Sequence, residues 1–154
     1  RGIHMPIPRT VFALALLALA SAVSAIEGLV ALESPLTVGQ TMDRLEAVVK
    51  ERGLTVFARI DHSAGAAKVG KTLRPTQLLI FGNPQGGTPF MECAQSVGID
   101  LPLKALVWED AEAQVWLAYN DPAFLAARHG ADSCPVVDKL SAALKDLADA
   151  AVTP

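Results

Sequence analysis

Hydrophobic and polar positions along the chain fall into blocks of two different periods. Val30-Ala31-Leu32-Glu33-Ser34 follows Gly28-Leu29 and precedes Pro35, and its length, loose alternation and terminating proline predict a first strand. From Val38 the apolar residues recur at helical spacing, at Met42, Leu45, Val48 and Val49, with Glu46 and Lys50 placed as a favourable i,i+4 pair. Thr37 and Gln40 have the spacing of a capping box, in which the hydroxyl accepts from the amide three residues on and the glutamine reaches back. Gly53 can supply the left-handed residue that stops the run, so a helix is predicted over 38–52.

Thr55 to Asp61 is β-branched and aromatic and predicts a second strand, running into a loop of small residues at Ser63-Ala64-Gly65-Ala66-Ala67. Thr76 to Phe81 is a near-continuous apolar run, bounded by Pro75 and by Gly82-Asn83-Pro84, as expected of a central strand covered on both faces. Thr88 as N-cap with Pro89 at the first helical position predicts a brief helix to about Val97, stopped by Gly98. Leu103–Glu109 and Gln114–Tyr119 predict two strands joined by the acidic link Asp110–Ala113. Asn120-Asp121-Pro122 opens a short helix to about His129, and Asp132-Ser133-Cys134-Pro135 opens a last one whose Val136, Val137, Leu140, Ala143, Leu144 and Leu147 form one apolar stripe. The order is strand, helix, strand, strand, short helix, strand, strand, helices. It predicts an α+β fold, an antiparallel sheet of about five strands with helices packed on one face. We find no internal repeat, low-complexity tract or second domain.

The N-terminal segment changes this picture. Arg1 to His4 reads as a cloning scar before a start at Met5. Met5-Pro-Ile-Pro-Arg9 is a short basic region, Val11 to Val23 an uncharged apolar run, and Val23-Ser24-Ala25 a small-residue cleavage site, so 5–25 is expected to be a secretory signal. The run lacks a basic stop-transfer flank, and spanning a bilayer takes roughly 20 apolar residues, so a permanent transmembrane anchor is the weaker reading. If retained, the run is expected to pack as a helix in an apolar groove of its own or a neighbouring chain. The mature domain would begin near Ile26, periplasmic or secreted.

Without that segment 11 Lys and Arg face 16 Asp and Glu, a net charge near −5. No basic stripe is available for a phosphate backbone, and only Phe57 lies beside the basic segment Arg59–Arg74, which argues against nucleic acid. Cys93 and Cys134 are an even pair in an oxidising compartment, which permits a disulfide, but two packed thiols are the preferred expectation.

Gly65-Ala66-Ala67-Lys68-Val69-Gly70-Lys71-Thr72 matches the P-loop pattern residue for residue. Phosphate binding there requires a helix opening at the Lys-Thr pair, and Pro75 stands against it, so the match is read as chance and Lys68 and Lys71 as solvated side chains. Asp61-His62 sits at a strand end and His129 closes a helix. The two histidines would make an open metal site only if folding brought them together with a carboxylate; they carry no ligand spacing, and His129 has a sufficient role as a cation at a helix C-terminus. No nucleophile elbow is present, and Cys93 has no basic neighbour in sequence to activate it. The acids Glu109, Asp110 and Glu112 read as a solvated turn. No catalytic residue, metal or cofactor is assigned.

Several linked motifs in the right order carry a family resemblance: Leu79-Ile80-Phe81-Gly82-Asn83-Pro84, Gly87-Thr88-Pro89 and Met91, Gly98-Ile99-Asp100-Leu101-Pro102-Leu103-Lys104, and Tyr119-Asn120-Asp121-Pro122. Together they resemble the family called domain of unknown function 302 from about Leu29 to Ala148, and Asp61-His62 and Arg128-His129-Gly130 fit it too. The resemblance implies a compact α+β fold in the style of half a TATA-binding protein, with a curved sheet and frequent dimers, and no particular activity. Lys71 and the cysteine pair stand outside the family pattern.

The resulting expectation is a small exported, non-catalytic binding module, in which the concave sheet face or a helix groove takes an apolar ligand or partner segment. Asp61, His62 and Asn83 would be its polar rim and a homodimer its assembly. The alternatives are a metal-dependent enzyme using His62 with Asp61 as orienting acid, and a purely structural or interaction dimer.

Overall fold

The computed structural model describes residues 26–154. The cloning-scar, signal-segment and groove-packing expectations for residues 1–25 lie outside the described residues.

The chain runs β1 (Leu29–Ser34), α1 (Val38–Glu51), β2 (Thr55–Asp61), α2 (His62–Lys68), β3 (Thr76–Gly82), α3 (Pro84–Cys93), a 3-10 turn (Gln95–Ile99), β4 (Leu103–Glu109), β5 (Val115–Asn120), α4 (Pro122–Arg128) and α5 (Val137–Val152). The strands form one five-stranded sheet in the order β1-β5-β4-β3-β2, every pair antiparallel. This is the α+β architecture expected. β1 and β2 lie at opposite edges, so α1 crosses the whole sheet between them, and β4 rather than β3 takes the central position.

Local chemistry explains why α1 starts where it does. The Thr37 hydroxyl accepts from the Gln40 amide at 3.2 Å, and the Thr37 amide donates to Gln40 Oε1 at 3.1 Å. Gly53, at φ 73°, follows the C-terminus. The inner face of α1 places Met42, Leu45 and Val49 against Leu79 and Phe81 of β3, Val107 of β4 and Leu117 of β5, with Leu144 and Leu147 of α5 closing the cluster. Side chains alternate across each strand, so Leu78, Ile80, Leu106 and Trp108 fall on the opposite face, where they are only half-buried. β3 is therefore not covered equally on its two sides. A second cluster, built from Phe90, Val97, Leu125, Ala126, Val137 and Leu140, joins α3, the 3-10 turn and α4 to the start of α5.

Four local expectations are corrected. Ser63–Ala67 is helical, not a loop: the Asp61 carboxylate accepts from the Ala64 amide at 2.9 Å and so caps α2. α3 begins at Pro84 with Asn83 as cap, and Pro89 lies inside the helix instead of opening it. α5 starts at Val137 without a side-chain cap, past the Asp132–Pro135 signal. Cys93 and Cys134 are joined in a disulfide, not packed as separate thiols. Folding places the end of α3 beside the segment leading into α5, and a separation of 41 positions gave no sign of that.

Candidate functional site

An apolar cleft of about 400 Å³ opens between α5, α3 and the start of β2. Leu140, Ala143 and Leu147 of α5 form one side, and Gly87 and Met91 of α3 face them. Gly98 and Leu101, from the segment between α3 and β4, extend that second wall. Phe57 stands at the mouth, 57% exposed, because the β2–β3 ladder shifts register between Val56 and Ala58 and leaves it out of the pairing. The close approach of the two helices depends on small residues. A Cβ at Gly86 would sit 3.2 Å from Leu140 Cδ2, tighter than an ordinary contact, whereas one at Gly87 would meet Leu101 Cδ1 at an unstrained 3.6 Å.

Polar side chains in the lining are few, Asn83 and Thr88. Asn83 Oδ1 accepts from the Gly86 amide at 2.9 Å, capping α3, and the residue lines the cleft. Volume and lining both match a site for a small apolar ligand oriented by one or two polar contacts.

Asp61 and His62 are placed elsewhere. Asp61 pairs with Gln77 at one end of the β2–β3 ladder, whereas Asn83 follows the other end of β3, roughly 20 Å away at 3.4 Å per strand residue. Hydrogen bonds from the Ser63 hydroxyl and the Ala64 amide hold the Asp61 carboxyl below the usual aspartate range, so it serves α2 and does not orient His62. His62 is exposed as the first residue of α2. Of the three expected rim residues, the structure brings only Asn83 to the cleft. Among the described residues no group of three or more His, Cys, Asp and Glu side chains could hold a metal ion. Lys71 and Thr72 of the P-loop-like stretch follow α2 outside any helix or strand instead of opening a helix.

A second constellation lies on the other side of the same 3-10 turn that lines the cleft. His129, read in sequence as a helix-end cation, has Nε2 at 2.6 Å from Asp100 Oδ2 and Nδ1 at 2.9 Å from the Ser96 hydroxyl. Arg128 donates to Asp100 Oδ1 at 3.2 Å, and Lys104 Nζ donates to the Asp100 and Pro102 carbonyls at 2.9 and 3.0 Å. Asp100, Pro102, Lys104, Arg128 and His129 all lie in the motif segments that carried the family resemblance. That clustering was a usable signal for this constellation; Ser96 had none.

The model of the family described as "Domain of unknown function DUF302" matches residues 30–147, most of the chain. The chain belongs to the DUF302 family. The crystal structure of a DUF302 protein from Bacillus stearothermophilus superposes with a TM-score of 0.74, covering 82% of this chain and 99% of that chain at 18% identity, which establishes the shared fold. Among curated proteins, this DUF302 domain is 52% identical over 102 residues to "Fluoride-specific ion channel FluC 1" of Brucella suis biovar 1 (strain 1330), over 66% of this chain and 40% of that relative. A relative named "Fluoride-specific ion channel FluC 2", from Brucella melitensis biotype 1, matches at the same identity over 38% of its length. The chain thus spans about two fifths of the curated relatives it matches.

Proposed function

We propose that this DUF302 domain is an exported binding module whose cleft between α3 and α5 takes an apolar ligand, with Asn83 as the polar contact at the rim. The cleft carries this reading: it joins a largely apolar lining to a volume suited to a small molecule. The disulfide supports export, because such bonds persist in oxidising compartments. Ala143 is an exposed position of α5 that lines the cleft, so Ala143→Trp fills the space without disturbing the core beneath. Titration with an environment-sensitive apolar dye tests the reading. Saturable enhancement in the parent that Ala143→Trp abolishes, at an unchanged melting temperature, supports it; equal enhancement in both overturns it.

A second reading rests on the curated relatives. Their names describe channels, and most of their length lies outside the match, so we propose that in such chains this domain is a companion module that docks an apolar segment of the membrane part in the same cleft. Co-elution of this domain with the remainder of the Brucella suis relative in detergent, lost in Ala143→Trp, supports docking. Separate elution removes this reading and leaves the first standing.

A further inference from the structure

The Ser96, His129 and Asp100 side chains form a hydrogen-bonded chain whose polarity is fixed by chemistry. A neutral imidazole has one N–H donor and one lone-pair acceptor. The Asp100 carboxylate also accepts from Arg128, so it takes the N–H from Nε2 at 2.6 Å. Nδ1 is then left with its lone pair toward the Ser96 hydroxyl at 2.9 Å. The serine donates its proton to a base whose tautomer an acid has set. These are the roles of a nucleophile, a general base and its orienting group, which are defined by geometry and not by chain order.

Accessibility runs in the direction catalysis needs. Ser96 is exposed, whereas the side chains of His129 and Asp100 are only 9% and 13% exposed. Each member is also anchored. Val97, next to Ser96, is fully buried in the second core cluster, and Cys93, three positions before Ser96, is bridged to Cys134, five positions after His129. The His129 amide donates to the Leu125 and Ala126 carbonyls, and Lys104 holds the Asp100 main chain.

We propose that Ser96 and His129 are the catalytic residues, and Asp100 the positioning residue, of an acyl-transfer site that hydrolyses carboxylic esters. Ser96 Oγ bonds to the ester carbonyl carbon while its proton passes to His129 Nδ1 and the carbonyl pair moves onto oxygen. The intermediate then collapses, the C–O bond to the alcohol breaks, and the departing oxygen takes the proton from Nδ1. Water next attacks the acyl-serine, losing a proton to Nδ1, and the Ser96 C–O bond breaks as Oγ regains that proton. The balance is ester and water in, acid and alcohol out, with no redox partner. The site is independent of ligand binding in the cleft.

The full chain, with its disulfide intact, is treated with a fluorophosphonate probe and read by peptide mass, alongside release of 4-nitrophenol from 4-nitrophenyl acetate. The expected result is one adduct per chain on Ser96, absent in Ser96→Ala, with labelling and ester hydrolysis slowed about 100-fold or more in His129→Ala, the usual scale of a general base. Added imidazole restores part of the rate of Ser96 labelling in His129→Ala, which a purely structural histidine would not allow. Asp100→Asn displaces the rate–pH profile while the adduct stays on Ser96. Absence of an adduct, an adduct on another residue, or a rate indifferent to His129→Ala overturns the proposal. Ala143→Trp blocks the cleft and leaves labelling intact, so the two sites are judged separately.

Discussion

The Ser34 hydroxyl lies 2.7 Å from the Thr41 hydroxyl, and both residues are buried where β1 turns into α1. Thr41 also donates to the Thr37 carbonyl at 2.9 Å, so this pair ties strand, cap and helix together inside an apolar layer. Thr41→Val keeps the shape but leaves the Ser34 hydroxyl without that partner. It is expected to cost about 1–3 kcal/mol, the desolvation penalty of an unmatched buried group. The double variant Ser34→Ala/Thr41→Val should cost less than the sum of the single changes, because it removes both polar groups. Urea unfolding of the four proteins measures the coupling; strictly additive losses would show that the pair does not act as a unit.

The Cys93–Cys134 bridge closes a loop of 41 positions. The chain-entropy relation gives about 4 kcal/mol of stabilisation for such a loop, relative to a reduced chain free to expand. Reduction should therefore lower the urea midpoint, and Cys93→Ala/Cys134→Ala should reproduce the effect without reductant. Fully denatured parent protein should resist alkylation and weigh two mass units less than its reduced form. A midpoint indifferent to reductant would mean that the reduced chain already holds these segments together.

Three carboxylates set the acid limb of stability, one of them Glu46, which its hydrogen bond from Lys50 holds below the ordinary glutamate value. Asp110 accepts from Trp116 Nε1 at 2.8 Å and from the Gln114 and Glu112 amides at 2.9 Å each, and this holds its carboxyl below the ordinary aspartate value of 3.8. Asp61 is lowered in the same direction by Ser63 and the Ala64 amide. For a group whose folded pKa is depressed, the stabilisation is present above the unfolded value and is lost as pH falls through the folded one. Stability should thus decline below about pH 4, the unperturbed aspartate value. Asp110→Asn should flatten the decline and alter Trp116 fluorescence. Parent and variant with identical acid transitions would remove this role.

Much of the fold was legible where the deciding interactions are local. The Thr37–Gln40 box and Gly53 bound α1 within a few residues, and strand lengths follow from short apolar runs between Gly, Pro and Asp. The start of α3 was not legible, because Asn83-Pro84 and Thr88-Pro89 are two competing cap signals of the same type. The choice between them is tertiary: the earlier start makes Gly86 helical and lays it on Leu140. α2 was missed because small residues after a strand look like a loop until Asp61 is seen capping them. Asn83 was picked out from a motif and proves to sit at the cleft, but the cleft walls come from segments far apart in sequence. Asp61 and Asn83 are both short polar residues where a strand gives way to a helix, and nothing in the sequence states that the length of β3 separates them. Ser96 and His129 meet across 33 positions, a pairing no spacing rule anticipates.

Asp61 and Asn83 perform the same structural task at opposite ends of β3, which allows structure to be separated from binding. Each accepts a first-turn amide at 2.9 Å, Ala64 for Asp61 and Gly86 for Asn83. Replacing either by Ala should cost about 0.5–2 kcal/mol, the usual loss of a cap. The two changes should differ at the cleft. Asn83→Ala removes a polar side chain of the lining and loosens the helix turn that carries Gly86 and Gly87, so dye affinity should fall. Asp61→Ala frays α2, roughly 20 Å from Asn83 and its helix turn, and should leave affinity unchanged. Asn83→Ser retains a capping oxygen with a shorter reach, so it should recover most of the stability but not the rim contact. Stability by urea and affinity by dye titration, measured on the same samples, decide the matter. If Asp61→Ala weakens dye binding as much as Asn83→Ala does, the dye does not report on this cleft and Asn83 has no special place in recognition.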